Sequence, residues 1–160
     1  MAKVPVQFTL NGGEKAEFID SGTTLLALLR EKVGDTSPKS GCCQGTCGAC
    51  SVMMDGELRL SCLTLAEDCN GAHVETTAGL SEGGALHPLQ RAFTEGFATQ
   101  CGFCTPGMIM AAKALLDRNH NPSREDVVEA ISGNICRCTG YEPIIRAVLA
   151  AARTDSLDAT

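Results

Sequence analysis

The chain has 160 residues, a net charge of −6, 44% apolar and 20% charged side chains, and ten cysteines. That length makes one ordinary domain or two small ones, and the composition excludes an intrinsically disordered chain. The acidic balance has no polybasic run, which argues against nucleic acid and anionic lipid as partners, and no apolar run reaches the roughly 18 residues of a membrane span.

The first segment reads as β. Val4, Val6, Phe8 and Leu10 alternate with Pro5, Gln7 and Thr9, the two-residue period of a half-buried strand. Asn11-Gly12-Gly13 predicts a hairpin turn, and Glu14 to Ile19 alternates again with Ala16 and Phe18 on one face. Thr23 or Thr24 can cap a helix carrying Leu25, Leu26, Leu28 and Leu29, which ends near Gly34. A loop with Cys42, Cys47 and Cys50 follows. Ser51–Met54 and Glu57–Ser61, joined by Asp55-Gly56, predict a second hairpin, and Ala72–Thr76 a last strand.

Residues 78–85 contain Gly79, Ser81, Gly83 and Gly84, lack strong periodicity and are expected to link two domains, 1–77 and 86–152. Beyond them the period turns helical. Leu86, Leu89, Phe93 and Phe97 recur at three and four residues. Thr105 reads as an N-cap followed by Pro106 at the first helical position, leading into Met108, Ile109, Ala112, Leu115 and Leu116. Ser123 caps a third helix with Glu125 and Asp126 in its first turn, and a fourth runs from about Glu142 to Ala152. Four short helices make a compact bundle, and 153–160 is expected to be a flexible tail. The fold class is α+β.

No secretory pattern follows Met1-Ala2-Lys3, so a reducing cytoplasm is expected, where clustered cysteines bind metal more often than they pair. Cys42-x4-Cys47-x2-Cys50, then Cys62 after eleven residues, has the plant-type [2Fe–2S] spacing. Gly41, Gly45, Gly48 and Ala49 keep the chain small where it must wrap an inorganic core and aim N–H groups at it. Four-thiolate zinc is the rival, although zinc knuckles usually pair two C-x2-C units. The second group is Cys101-x2-Cys104 and, after 31 intervening residues, Cys136-x-Cys138, in two interhelical turns that can pinch a cluster at one end of a bundle. Structural zinc, or a disulfide pair, is the alternative there. Cys43 and Cys69 remain as small side chains without a ligand role. His73, His87 and His120 are scattered and suggest no catalytic base.

Three segments carry a resemblance. Gly41-Cys42-Cys43-Gln44-Gly45-Thr46-Cys47-Gly48-Ala49-Cys50, Gln100-Cys101-Gly102-Phe103-Cys104-Thr105-Pro106-Gly107-Met108 and Gly133-Asn134-Ile135-Cys136-Arg137-Cys138-Thr139-Gly140-Tyr141 together resemble the small iron–sulfur subunit of the molybdenum hydroxylases, the xanthine oxidase family. The resemblance runs from about Val4 to Ala152. It implies an N-terminal β-grasp ferredoxin-like domain and a C-terminal four-helix bundle, each with one [2Fe–2S] cluster: Cys42, Cys47, Cys50 and Cys62 for the first, Cys101, Cys104, Cys136 and Cys138 for the second. It implies a large subunit with the molybdenum–pterin cofactor, usually a medium subunit with FAD, and a complex built as a dimer of heterotrimers. Electrons would pass from molybdenum through the helical domain and then the ferredoxin-like domain to the flavin. Gln100 and Cys138 match the pterin-contacting positions. The family commonly has an acidic residue where this chain has Cys43. Gln44-Gly45-Thr46 resembles the hydroxylases of organic substrates, such as N-heterocycles, aldehydes or aromatic acyl-CoA, more than the carbon monoxide dehydrogenases. A free-standing two-cluster ferredoxin is the alternative of another class, and a zinc-stabilised module a third. No substrate-transforming residue is expected on this chain.

Overall fold

A mixed sheet and a set of helices divide the chain, in that order. The computed structural model describes residues 3–158. β1 (Lys3–Leu10) and β2 (Gly13–Asp20) form an antiparallel hairpin with Leu10 opposite Gly13. Only Asn11 and Gly12 lie between them, at φ 50° and 80°, the two left-handed positions of a type I′ turn. β3 (Ser51–Met54) and β4 (Glu57–Leu60) make a second antiparallel hairpin around Asp55 and Gly56, which are left-handed as well. β5 (His73–Glu75) runs parallel to β1 and antiparallel to β3, giving the order β2-β1-β5-β3-β4.

One face of this sheet is the first core. Val6, Phe8, Leu10, Ile19, Val52 and Val74 pack against Leu25, Leu28 and Leu29. Thr24 caps the covering helix α1 (Leu25–Ala27), its hydroxyl accepting from Ala27 N at 3.2 Å. The next turns, Leu28–Val33, widen to a π-helical winding that closes on Gly34 at φ 84°. β2 behaves differently from the expected pattern. Its buried residue is Ile19, while Phe18 is 67% exposed and Ala16 lies on the same outer face. β2 is the edge strand, and Ile19 opposes Val4 whereas Phe18 opposes Pro5 on the uncovered side.

The second core belongs to four helices: α2 (Pro88–Glu95), α3 (Thr105–Leu116), α4 (Arg124–Ile131) and α5 (Glu142–Asp158). Leu89, Phe93, Met108, Ile109, Val127, Ile131, Ile144 and Val148 fill it. His87 caps α2 through a reciprocal pair: its Nδ1 accepts from Leu89 N, and Gln90 Oε1 accepts from His87 N. Ser123 and Asp126 cap α4 in the same way. Three boundaries differ from the sequence expectation. α2 stops at Glu95, so Phe97 lies outside it. Cys104, not Thr105, is the cap of α3. α5 passes Ala152 and reaches Asp158, because Ala150, Ala151, Ala152 and Arg153 all favour helix. Residues 159 and 160, the end of the expected tail, lie outside the described residues.

α3 joins the two halves. Met108, Ile109, Met110, Ala111, Ala112 and Ala114 are all buried, so the helix is apolar nearly all round. One side completes the helical core and the other packs Met110 and Ala114 on Met53 of β3. Among the described residues no helix is long and apolar enough to cross a membrane.

Candidate metal centres

The first cysteine group comes together where the sheet meets its long loop. Cys50 immediately precedes β3 and Cys62 lies just beyond β4, both buried with Leu26 and Leu60. Cys42 and Cys47 are half-buried in the loop between. Gln44 N and Thr46 N donate to Cys42 Sγ at 3.5 and 3.3 Å. The Thr46 hydroxyl, then those two N–H groups, hold the Cys42 thiol down to about 5. Cys42 also meets Cys47, and Cys62 lies beside Cys50 and within electrostatic reach of Cys42. Burial, then Cys50, pushes the Cys62 thiol up to about 11. The loop has no room for larger side chains. A Cβ on Gly41 would stand 2.8 Å from Cys47 Sγ, and Gly45 sits at φ 80° with the Leu63 side chain 2.5 Å from where its Cβ would be.

The second group lies at one end of the helices. Cys101 and Cys104 occupy the turn from α2 to α3, and Cys136 and Cys138 the turn from α4 to α5. Cys138 Sγ is 3.5 Å from Cys101 Sγ, and Cys104 lies beside Cys136. Cys104 and Cys136 are buried, whereas Cys101 and Cys138 face out. Burial pushes the Cys104 thiol up to about 12. Burial also works against ionising Cys136, but the Thr139 hydroxyl and the N–H groups of Thr139 and Cys138 outweigh it and hold that thiol below its usual value. Thr139 Oγ1 is 3.1 Å from Cys136 Sγ and accepts from Tyr141 N at 3.1 Å, which leaves its own O–H for the sulfur. Tyr141 Oη in turn accepts from Cys136 N at 3.0 Å.

Both quartets are sets of thiols alone, a soft donor set that suits iron–sulfur or zinc. Among the described residues no group of three or more His, Cys, Asp or Glu closes on a single ion. N–H and O–H donors aimed at the sulfurs, and glycines where the loop passes closest, are what a sulfide-bridged core requires of its surroundings. The residues therefore fit two [2Fe–2S] cores. Cys43 and Cys69 stand apart from both quartets. Cys43 is exposed at φ 52° with Sγ 3.2 Å from Ser40 Oγ, and Cys69 is buried beside Met54 with its thiol pushed up to about 11, chiefly by burial. Gln100 is exposed next to Cys101. Of the aromatic and methionine side chains near the second group, Phe93, Met108 and Met110 are core, whereas Phe97 and Phe103 are exposed.

The two loops touch, which sequence patterns did not signal. Cys47 O accepts from Ile135 N at 2.9 Å, and Gly48 O accepts from the buried Asn134 Nδ2 at 2.9 Å. A Cβ on Gly107 would lie 2.3 Å from Gly48 O, and one on Gly48 would lie 2.5 Å from Gly133 O. The one available hint was a glycine inside the first turn of an otherwise apolar helix, which marks a close backbone approach.

Residues 7–93 match the family described as 2Fe-2S iron-sulfur cluster binding domain, and residues 76–149 match the [2Fe-2S] binding domain. The chain is 47% identical to the nicotine 6-hydroxylase small subunit of Paenarthrobacter nicotinovorans, over 93% of this chain and 90% of that one. It is 45% identical to the nicotinate dehydrogenase small FeS subunit of Eubacterium barkeri, over 92% and 94%. A chain in the crystal structure of quinoline 2-oxidoreductase from Pseudomonas putida 86 superposes with a TM-score of 0.93 at 44% identity, covering 97% of each.

Proposed function

This chain belongs to the small iron–sulfur subunits of the molybdenum hydroxylase family, and on that premise we propose how its residues serve the complex. It is an electron-transfer subunit of an oxidoreductase with two [2Fe–2S] clusters, and it partners a large subunit. Molybdenum–pterin and FAD sit on partner subunits in such complexes. A [2Fe–2S] core, when bound, takes up and gives back one electron.

Cys42, Cys47, Cys50 and Cys62 hold the first core, and Cys101, Cys104, Cys136 and Cys138 the second. Sulfur-to-sulfur proximity within each quartet supports this division. The sheet half with α1 is a β-grasp ferredoxin-like domain over 1–77, and the helical half over 86–152 is a four-helix bundle. The exposed pair Cys101 and Cys138, with Gln100 beside them, marks the entry face, where Gln100 and Cys138 contact the pterin. The half-buried loop of Cys42 and Cys47 marks the exit face toward the flavin. The observation that supports this order is the direct contact of the two loops, Ile135 N on Cys47 O and Asn134 Nδ2 on Gly48 O.

The complex is a dimer of heterotrimers with FAD on a separate medium subunit, located in the cytoplasm. The substrate is an N-heteroaromatic ring, as the names of all three relatives above suggest. The test is co-expression with the large and flavin subunits. About four iron per small chain and bleaching of its visible bands by such a substrate are expected. Cys138→Ser is expected to stop that bleaching. Stoichiometric zinc in place of iron would refute the reading.

A further inference from the structure

A groove of about 560 Å³ opens between α2 and α5, and no cysteine lines it. Its walls include Arg91, Arg146, Arg153, Glu95, Phe97 and Ala150. We propose that this groove receives an acidic segment of the large molybdenum subunit, with an apolar side chain of that segment seated on Phe97. The proposal rests on the reading of Cys101 and Cys138 as the face turned to that subunit.

Charge is the first argument. The chain carries −6 with only 13 basic residues, and among the described residues three of these line this one hollow with one carboxylate, Glu95. Glu142 approaches Arg146 only to 4.0 Å and is already gripped by both guanidinium nitrogens of Arg124, at 2.7 and 3.3 Å. Among the described residues Arg91 has no ion pair. Arginine forks are suited to carboxylates, which they engage through two parallel bonds.

Phe97 is the second argument. It is 84% exposed and held at φ 52°, a conformation unusual for a bulky side chain. Its neighbours fix it there: Gly96 N returns to Ala92 O at 2.8 Å, and Ala98 is fully buried with its N on Phe93 O at 3.0 Å. An aromatic ring locked outward contributes nothing to the fold's own core. Its area becomes useful only when a partner covers it, and buried aromatics beside arginines are what interface centres are made of.

Continuity is the third. Phe97 also lines a second hollow of about 400 Å³ with Thr99 and Thr105. Gln100, Cys101 and the 48% exposed Phe103 follow directly along the chain. Phe97 thus joins the basic groove to the second hollow and lies four residues from the exposed Cys101, so a subunit that covers Cys101 is within reach of the groove.

The test uses the intact complex. Phe97 is replaced by the photo-crosslinker p-benzoylphenylalanine in co-expressed protein, and the crosslinked peptide is sequenced. A peptide of the large subunit rich in Asp and Glu is expected. A crosslink to the flavin subunit, to a second copy of this chain, or to a neutral or basic stretch overturns the proposal, as does none in an intact complex. In parallel, Arg91→Glu with Arg146→Glu is expected to weaken association with the large subunit about tenfold at low ionic strength, the gap closing as salt rises. Unchanged affinity in that variant overturns the proposal too. Wild-type protein that fails to pair with the large subunit at all would instead sink the functional reading beneath it. The visible spectrum of the isolated variant reports that its fold is intact.

Discussion

Replacing Gly107 by Ala tests the seam between the two halves. The new Cβ would stand 2.3 Å from Gly48 O, 3.1 Å from Asn134 Nδ2 and 3.2 Å from Ala49 Cα. Real Cβ contacts almost never fall below 3.0 Å, so helix and loop must separate by roughly 0.7 Å. Two of the three obstacles are backbone, so no side chain can swing aside. Gly48 O is also pinned, accepting from Ser51 N at 3.1 Å, Ser51 Oγ at 2.7 Å and Asn134 Nδ2 at 2.9 Å. Overpacking of this kind costs about 1–3 kcal/mol, and a weakened Asn134 bond adds about 1 kcal/mol. Alanine's better helix propensity returns about 0.5–1 kcal/mol. The net loss of about 1–3 kcal/mol lowers the melting temperature by several degrees in a chain this size. Gly133→Ala is the control, because nothing lies within 4 Å of its Cβ position. The assay is thermal unfolding of the iron-loaded protein followed in the visible. A Gly107→Ala protein that melts with or above the wild type would refute the close-approach argument.

Thr139→Val removes the hydroxyl that faces Cys136 Sγ at 3.1 Å. That bond favours the more negative, reduced state, so its loss is expected to lower the midpoint potential of the second cluster alone. Redox titration followed by electron paramagnetic resonance reads this, and Thr139→Ser should restore the wild-type value; an unmoved midpoint rejects the role. Asn134→Ala leaves Gly48 O without its Nδ2 donor and is expected to destabilise by about 1–3 kcal/mol in denaturant unfolding. Cys43→Ser and Cys69→Ser should keep full iron and colour, and loss of one cluster in either variant would show that the thiol is a ligand. Cys42→Ser should lose about half the iron.

Cysteine spacing suggests two quartets among the ten thiols because ligand spacing is local. Intervals of four and two residues, or of two and one, let a turn reach a small core, and the fold then brings each set's distant members to it. Hydrophobic period located β1 and the helices for a similar reason: Val6, Phe8 and Leu10, or Val127 and Ile131, repeat with the geometry of their own element. Local pattern failed where tertiary context decides. Phe97 continues the α2 period, yet the helix ends before Gly96 and the ring turns outward. Phe18 alternates like a core residue but lies on the uncovered face of an edge strand. The meeting of Gly48 with Gly107, and of Cys47 with Ile135, joins residues far apart in the chain, and no periodicity encodes it.

Spin counting on the reduced protein tests the central claim most directly. Two distinct [2Fe–2S] signals, each near one spin per chain, are expected in the wild type. Cys50→Ser should remove only one of them and Cys104→Ser only the other. A single signal, or one substitution abolishing both while the visible spectrum still reports a cluster, would contradict the account of two separate relay sites.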